Sequence, residues 1–472
     1  MDDLFRVVNA FILFCGTVEE RYWMNIVLLS GGSGKRLWPL SNDIRSKQFI
    51  KIFKKKPEFK DVPMGVDTDD YESMVQRVYR QIKTVDSDAT VTIATSKSQV
   101  SALHNQLGDE IGISEEPCRR DTFPAIALAT AYLHDVQGVS EDDAVVVCPV
   151  DPYVDDDYFK AIEQLWKLAD EGTANLVLIG IDPTYPSEKY GYIMPVDKNP
   201  VSKVVEFKEK PDTATAQKYI DQGGLWNGGV FAYKLKYVLE RAHSLIDFTD
   251  YKDLFEKYET LKKISFDYAV VEHETDIAVM RFNGQWKDLG TWNTLTEAME
   301  ENAVGDVRFD KTCENVHAIN ELGVPILVMG GKNLVVSASP EGILVSDKDQ
   351  SSYIKPYVDD INQQVMFAEK SWGSYRVLDV EEESLTVKVT LNPGHRMNYH
   401  SHERRDEIWT VISGTGLTIV EGAAKNVKAG DVITMPAGCK HTVVAGDEGL
   451  QIIEVQLGKE ISVSDKIKYK LD

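Results

Sequence analysis

Over the first 300 positions, short uninterrupted apolar runs alternate with longer stretches of helical period. Residues 25–30 read N-I-V-L-L-S and run straight into G-G-S-G. Similar runs recur at 89–93 (ahead of a more polar 94–99), 144–148 and 176–181, with helical patterns at 71–83 and 125–133 between them. Strands without polar alternation are buried on both faces, and helices between them supply the cover. The pattern predicts a Rossmann-like α/β domain over 24–303, with a mixed, mainly parallel sheet and a closing helix that starts near Thr291.

The texture then changes twice. Within 304–369, short strands at 326–329, 334–337 and 342–346 are separated by Gly-Gly, Ser-Pro-Glu-Gly and Asp-Lys-Asp-Gln turns. They predict a small β-rich linker module that ends in a helix near 354–369. From 370 to 472 strand patterns dominate: L-T-V-K-V-T-L at 385–391 alternates strictly, and 407–412, 417–420, 432–435 and 450–455 follow. Many short strands with Gly-rich turns predict a small barrel or double-sheet jelly roll. Residues 1–23 remain as an N-terminal extension, either a short helix packed on the body or the product of an upstream start codon.

Composition agrees with several folded units. The 472 residues exceed one ordinary core, and 43% apolar with 27% charged residues describes a folded chain. The formal net charge of −23 has the wrong sign for nucleic acid or anionic lipid. A triphosphate would therefore need a local cationic cluster. The five cysteines are scattered, odd in number and lack C-x-x-C spacing, which points to a reducing, cytoplasmic compartment. The apolar stretch 7–15 is too short for a membrane span, and acidic Asp2 and Asp3 precede it where a signal peptide has a basic start.

The loop after the first strand carries the strongest local signal. Gly31, Gly32 and Gly34 let backbone N–H groups approach anionic oxygens, and Lys35 and Arg36 follow directly. Arg36 offers a planar fork for phosphate, and Lys47 in R-S-K-Q-F returns a second positive charge. Walker A fails because Arg36 follows Gly34-Lys35, and the dinucleotide fingerprint fails because no glycine stands three residues after Gly34. A plain glycine-rich turn is the competing reading, but it has no need of Arg36 and Lys47.

G-G-S-G-K-R-L-W-P-L-S with S-K-Q-F resembles the signature of the sugar-phosphate nucleotidyltransferases, specifically the mannose-1-phosphate guanylyltransferases. The likeness continues in order through Glu116-Pro117, R-D-T at 120–122, P-V-D at 149–151, Y-G-Y-I at 190–193 and F-K-E-K-P at 207–211. W-N-G-G-V-F at 226–231, F-D-Y-A-V at 266–270 and W-K-D-L-G-T-W at 286–292 complete it. The resemblance implies attack of a hexose 1-phosphate on the α-phosphorus of a nucleoside triphosphate, with GTP and mannose 1-phosphate as the expected partners. Such a reaction asks mainly for alignment and charge neutralisation. Asp151 follows an apolar strand and Asp288 lies in the W-K-D-L-G loop; the resemblance makes them the Mg²⁺ ligands. It also implies that Arg36 and Lys47 hold the triphosphate, Glu209 the sugar hydroxyls and Lys210 the sugar-linked phosphate. Asn227 reads the sugar, and Gly191 admits it close to the backbone.

This chain departs from the family pattern at four places. Lys35 replaces a Thr, Arg45-Ser46 replaces Tyr-Pro, D-T-F-P at 121–124 replaces N-T-A-P, and Pro152 replaces a His. These positions surround the base and the sugar, so another nucleotide and hexose pair stays open. A non-catalytic sugar-nucleotide sensor is disfavoured by the joint presence of Arg36, Lys47, Asp151, Asp288 and Glu209.

The C-terminal third carries a metal pattern. Gly394-x5-His400-x-His402-x4-Glu407-x6-Gly414 is followed by Gly430-x5-Pro436-x-Gly438-x2-His441. Residues two apart on a strand face one side, so His400 and His402 converge, with Glu407 and His441 arriving from other strands. Three imidazoles and a carboxylate suit a divalent transition metal such as Zn²⁺, Fe²⁺, Mn²⁺ or Ni²⁺. With K-S-W-G-S-Y at 370–375, the region resembles the cupin phosphomannose isomerase half of bifunctional enzymes. That resemblance implies Arg404 or Arg405 as a phosphate anchor. Mannose-6-phosphate isomerisation and a metal-stabilised structural or dimerising role are both left open, as is a homodimer through exposed strand edges.

Overall fold

A computed structural model describes residues 23–32, 35–42, 44–56, 70–361, 363–462 and 464–471. Gly34 and nearly all of the N-terminal extension lie outside the described residues. The strand Asn25–Leu29 sits between Thr90–Ser96 and Ala144–Pro149, parallel to both, and Gly112–Glu116 adds a further parallel strand. The other half is built differently. Leu225–Lys234 runs antiparallel to both Ala144–Pro149 and Leu176–Ile181, and Ile277–Phe282 is parallel to Leu176–Ile181. Val201–Lys208 then pairs antiparallel with Ile277–Phe282 and with Tyr192–Pro195.

The nine-stranded sheet is thus evenly mixed rather than mainly parallel. Tyr192–Pro195 and Val201–Lys208 are joined by a short turn, and so short a connection can only return antiparallel.

Alternate side chains of the central strand feed opposite cores. Ile26 and Leu28 pack with the helices Met74–Val85 and Asp156–Asp170, whereas Val27 packs with Thr122–Asp135 and Leu235–Leu245. The first of these helices begins later than its periodicity predicts. Ser73 accepts from Gln76 N while the Gln76 side chain accepts from Ser73 N, and this capping box sets the start. The same helix braces a two-stranded ribbon outside the main sheet. Pro152–Val154 pairs antiparallel with Trp286–Asp288, which places Asp288 opposite Pro152. Arg77 Nη2 and Gln81 Nε2 donate to Val154 O at 3.0 and 3.2 Å, and the Arg77 guanidinium stacks on Tyr153.

The linker residues form a four-stranded sheet, Ala303–Val304, His317–Asn320, Leu334–Ser339 and Gly342–Asp347, beside the pair Val307–Phe309 and Ile326–Val328. The helix expected near 354–369 is confined to Lys355–Asp359, because Phe367–Lys370 is a strand folded back on Gly373–Val380. In the β-rich C-terminal domain, the strands expected at 407–412 and 417–420 are one fifteen-residue strand, Asp406–Val420. Register shifts between Val411 and Gly416 let it stay paired with His441–Leu457 along its length. Gly414 has φ +79° at that point, and a Cβ there would lie 2.1 Å from Gly449 O. Trp409, Val411, Val389 and Ile452 fill the interior. No helix among the described residues is long and apolar enough to cross a membrane, and the four described cysteines are free thiols.

Candidate functional site

Three groups predicted far apart in sequence meet at the ribbon. Asp151 leaves the end of Ala144–Pro149, Asp288 ends the facing strand, and Lys47 comes from the short helix Lys47–Phe49. Lys47 Nζ lies 2.8 Å from Asp151 Oδ2 and 3.6 Å from Asp288 Oδ1. Burial works against the Lys47 charge, but the two carboxylates outweigh it and hold its pKa above the usual lysine value. Two carboxylates around one cation form a hard-oxygen donor set of the kind Mg²⁺ prefers, so the residues present fit that ion.

The glycine-rich loop borders this centre. Gly31 and Gly32 are exposed, Gly32 has φ +132°, and its carbonyl accepts from Ser46 Oγ and from Arg119 Nη2, both at 3.0 Å. Arg36 is exposed on the helix Lys35–Leu37. Lys35 is not gathered with the others; its ammonium pairs with Asp359 of the linker at 3.4 Å. Arg119 is not among the residues that the sequence nominates. It stands one position before the R-D-T motif, and only the fold carries it to Gly32.

A second cluster gathers Gly191, Glu209, Lys210 and Asn227. Asn227 N donates to Gly191 O at 2.8 Å, and Lys210 Nζ to Glu209 Oε1 at 2.6 Å. A Cβ on Gly191 would stand 2.6 Å from Glu209 Oε2 and 2.9 Å from the Phe207 ring, so this glycine makes room for the carboxylate itself. Burial lowers the affinity of Lys210 for its proton, yet Glu209 more than compensates and its pKa is raised. Asp267 completes the cluster and is likewise absent from the sequence-based site, although F-D-Y-A-V contains it. Asn227 Nδ2 donates to Asp267 Oδ1 at 2.7 Å. Burial, and then the neighbouring Glu209 carboxylate, push Asp267 up to about 7. Tyr190 bridges the two clusters, with its ring 4.9 Å from Trp226 and 5.7 Å from Trp286.

In the C-terminal domain, His400, His402 and His441 bring their ligand atoms within 4.8 Å of one another, all buried. Each Nδ1 faces a backbone carbonyl: His400 that of Asn398 at 2.6 Å, His441 that of Cys439 at 2.9 Å, and His402 that of Asp465. Such bonds fix the tautomer and make Nε2 the atom each ring could offer to a metal, although His402 Nε2 here meets Arg405 Nη2 at 3.0 Å. Glu407 joins them, with Oε1 3.2 Å from His402 Nε2 and Oε2 3.1 Å from His441 Nε2. Glu407 Oε2 and His441 Nε2 are buried and face each other at 3.1 Å, an arrangement that could also meet a metal. Burial lowers His400 to about 2 and His402 to about 4, so both stay neutral, as ligands must be. Arg405 is buried against Glu407 and His402 at 3.0 Å each, whereas Arg404 is exposed beside Glu460.

Comparison with known proteins follows the same division. Residues 25–304 match the family model described as Nucleotidyl transferase, and 359–470 the model described as Mannose-6-phosphate isomerase C-terminal. The chain is 27% identical to a mannose-1-phosphate guanylyltransferase of Salmonella montevideo, over 94% of this chain and 98% of that protein. It is 28% identical to the xanthan biosynthesis protein XanB of Xanthomonas campestris pv. campestris, over 94% and 97% respectively. Among solved structures, one described as mannose-1-phosphate geranyltransferase from Thermus thermophilus superposes with a TM-score of 0.58 at 27% identity, covering 72% of this chain and 98% of that one. With its family model spanning more than half of the sequence, the chain belongs to the nucleotidyl transferases, of the mannose-1-phosphate guanylyltransferase-like kind that carry a mannose-6-phosphate isomerase-type C-terminal domain.

Proposed function

We propose that this nucleotidyltransferase transfers GMP from GTP to mannose 1-phosphate, giving GDP-mannose and pyrophosphate. The observation that carries the reading is the meeting of Lys47 with Asp151 and Asp288 beside the glycine-rich loop. Asp151 and Asp288 would hold Mg²⁺, which when bound neutralises phosphate charge. Lys47 and Arg36 draw the triphosphate oxygens, and the N–H groups of Gly31, Gly32 and Lys35 line the approach. Glu209 accepts from sugar hydroxyls, Lys210 meets the sugar-linked phosphate, and Asn227, held by Asp267, orients the ring. A phosphate monoester needs no strong base to attack, so placement and charge account for the catalysis. The names of the full-length relatives support GTP and mannose 1-phosphate as the pair.

The C-terminal domain we read as a cupin barrel in which His400, His402, His441 and Glu407 hold a divalent transition metal. The family match and the inward Nε2 atoms favour a second activity there, mannose-6-phosphate isomerisation. Arg404 is then the phosphate anchor, because Arg405 is committed to Glu407. A cytoplasmic, reducing location is consistent with the free thiols. A homodimer belongs to the same reading and is checked by light scattering.

The test is a panel of nucleoside triphosphates and hexose 1-phosphates with Mg²⁺, scored by pyrophosphate release. GTP with mannose 1-phosphate should be turned over fastest; silence with every pair sinks the transferase reading. Incubation with mannose 6-phosphate and added metals decides the second activity, and absence of fructose 6-phosphate with every metal rejects it.

A further inference from the structure

The loop that presents Lys47 is held from two directions. Inside the transferase domain, Ser46 Oγ donates to Gly32 O at 3.0 Å and accepts from Gln99 Nε2 at 2.6 Å, while Gln48 Nε2 donates to Ser30 Oγ at 2.9 Å. The other hold comes through Arg45, at the position where this chain departs from its family's usual residue. Arg45 is buried, and its Nη1 and Nη2 meet the two oxygens of Glu321 in the linker at 2.8 and 2.9 Å. Its guanidinium also lies 5.1 Å from the centre of the Phe367 ring, on the first strand of the C-terminal region. Asn42 reinforces the junction: its Oδ1 accepts from Arg45 N at 2.6 Å, and its Nδ2 donates to Glu341 Oε1 at 2.8 Å and Phe367 O at 3.1 Å.

Only Ser46 separates Arg45 from Lys47, and Ser46 is itself the N-cap residue of the helix Lys47–Phe49. So little slack remains that a shift of the Arg45 backbone moves the Lys47 ammonium. Removing Glu321 would take the bidentate partner from the buried Arg45 guanidinium, and the loop must then rearrange. Glu341 and Glu369 also surround the guanidinium, so three carboxylates from beyond residue 320 converge on one cation of the transferase domain.

We propose that Arg45 is a positioning residue for nucleotidyl transfer, and that its pair with Glu321 and its stack on Phe367 make the linker and the C-terminal region part of the transferase machinery. The proposal rests on the transferase reading above. Its test uses the full chain, with kcat and KM measured by pyrophosphate release on the substrate pair the wild type turns over. Arg45→Met and Glu321→Gln should each lower kcat about tenfold or more, since displacements near 1 Å at a reacting centre have such effects. KM for the hexose 1-phosphate should stay within about twofold, because the sugar cluster is untouched. Arg45→Lys should recover part of the loss, and the double variant should be no worse than Arg45→Met alone.

Thermal melts accompany the kinetics. Should Arg45→Met fail to fold, Glu321→Gln carries the same kcat-against-KM comparison from a partly exposed position. Folded variants with wild-type kcat overturn the proposal, as do losses that multiply independently in the double variant. A wild type that is silent with every pair overturns the transferase reading and this inference together; an active wild type with undiminished variants overturns the inference alone.

Discussion

Lys47 donates one ammonium to two carboxylates, lying 2.8 Å from Asp151 and 3.6 Å from Asp288, on an enzyme whose net charge is −23. On the proposed reading, this cation answers the acidic surface where the triphosphate binds. Replacing this cation by Lys47→Met should lower kcat/KM about 10²–10³-fold, the usual loss when one charge-stabilising group is removed. The two carboxylates would then face each other without their shared cation, so Mg²⁺ should raise the melting temperature of the variant more than that of the wild type. Equal Mg²⁺ shifts in the two melts would refute the shared role.

If Asp151 and Asp288 hold Mg²⁺ as proposed, Asp151→Asn and Asp288→Asn each remove one carboxylate charge from the ion. Each should weaken Mn²⁺ binding in the transferase domain about tenfold or more, read by electron paramagnetic resonance with Mn²⁺ in place of Mg²⁺. Unchanged Mn²⁺ affinity in both would reassign the ion.

Gly191→Ala tests the sugar cluster by volume alone. Its Cβ would sit 2.6 Å from Glu209 Oε2, so the carboxylate must swing away from its place. The expected result is a rise in KM for the hexose 1-phosphate of about tenfold, with KM for the nucleotide nearly unchanged, as for loss of one charged hydrogen-bond acceptor. A rise confined to the nucleotide KM would count against Glu209 as the sugar residue.

Asp267 gives the cluster a pH dependence with a definite sign. Its folded pKa is raised to about 7 from 3.8, so the folded state holds a proton that the unfolded state releases. The stability this proton supplies is complete below about pH 4 and lost as pH rises through about 7. Asp267→Asn keeps the size and planar shape of the side chain without its charge. It should melt close to wild type below about pH 4 and about 2–4 °C or more above it at pH 8, the shift that about 1 kcal/mol produces in a domain of this size. An equal difference at both pH values would remove Asp267 as the titrating group.

For the C-terminal centre, His441→Ala should cut the bound transition metal measured by mass spectrometry about tenfold or more. Pyrophosphate release should persist, since His441 is not among the residues that hold Arg45 or Lys47. Stripping the transition metal with a chelator, and then restoring Mg²⁺ alone for the assay, should likewise lower the melting temperature of the C-terminal unit while leaving nucleotidyl transfer measurable. Metal content unaffected by the variant would remove His441 from the ligand set.

Local information reached far in this chain. The run N-I-V-L-L-S before G-G-S-G marks a buried strand feeding a glycine-rich loop, because both signals span a few consecutive residues. The strict alternation at 385–391 and the spacing from His400 to His441 likewise mark a β-rich domain with converging imidazoles. What the sequence could not decide is whatever depends on partners distant along the chain. The antiparallel half of the sheet follows from pairing of Leu225–Lys234 with strands on either side of it. A single continuous strand at Asp406–Val420 follows from a bulge that only its partner His441–Leu457 requires.

The same limit governs the site. Side-chain chemistry and the resemblance of short motifs nominated Lys47, Asp151, Asp288, Glu209 and Asn227, since anions and hydroxyls need those groups. Only the tertiary structure set Lys35 against Asp359, brought Arg119 to Gly32, and placed Asp267 under Asn227 and Glu321 under Arg45. Those choices are made by packing between separate elements, where burying a charge without a partner is costly, and no local pattern records which partner the fold will supply.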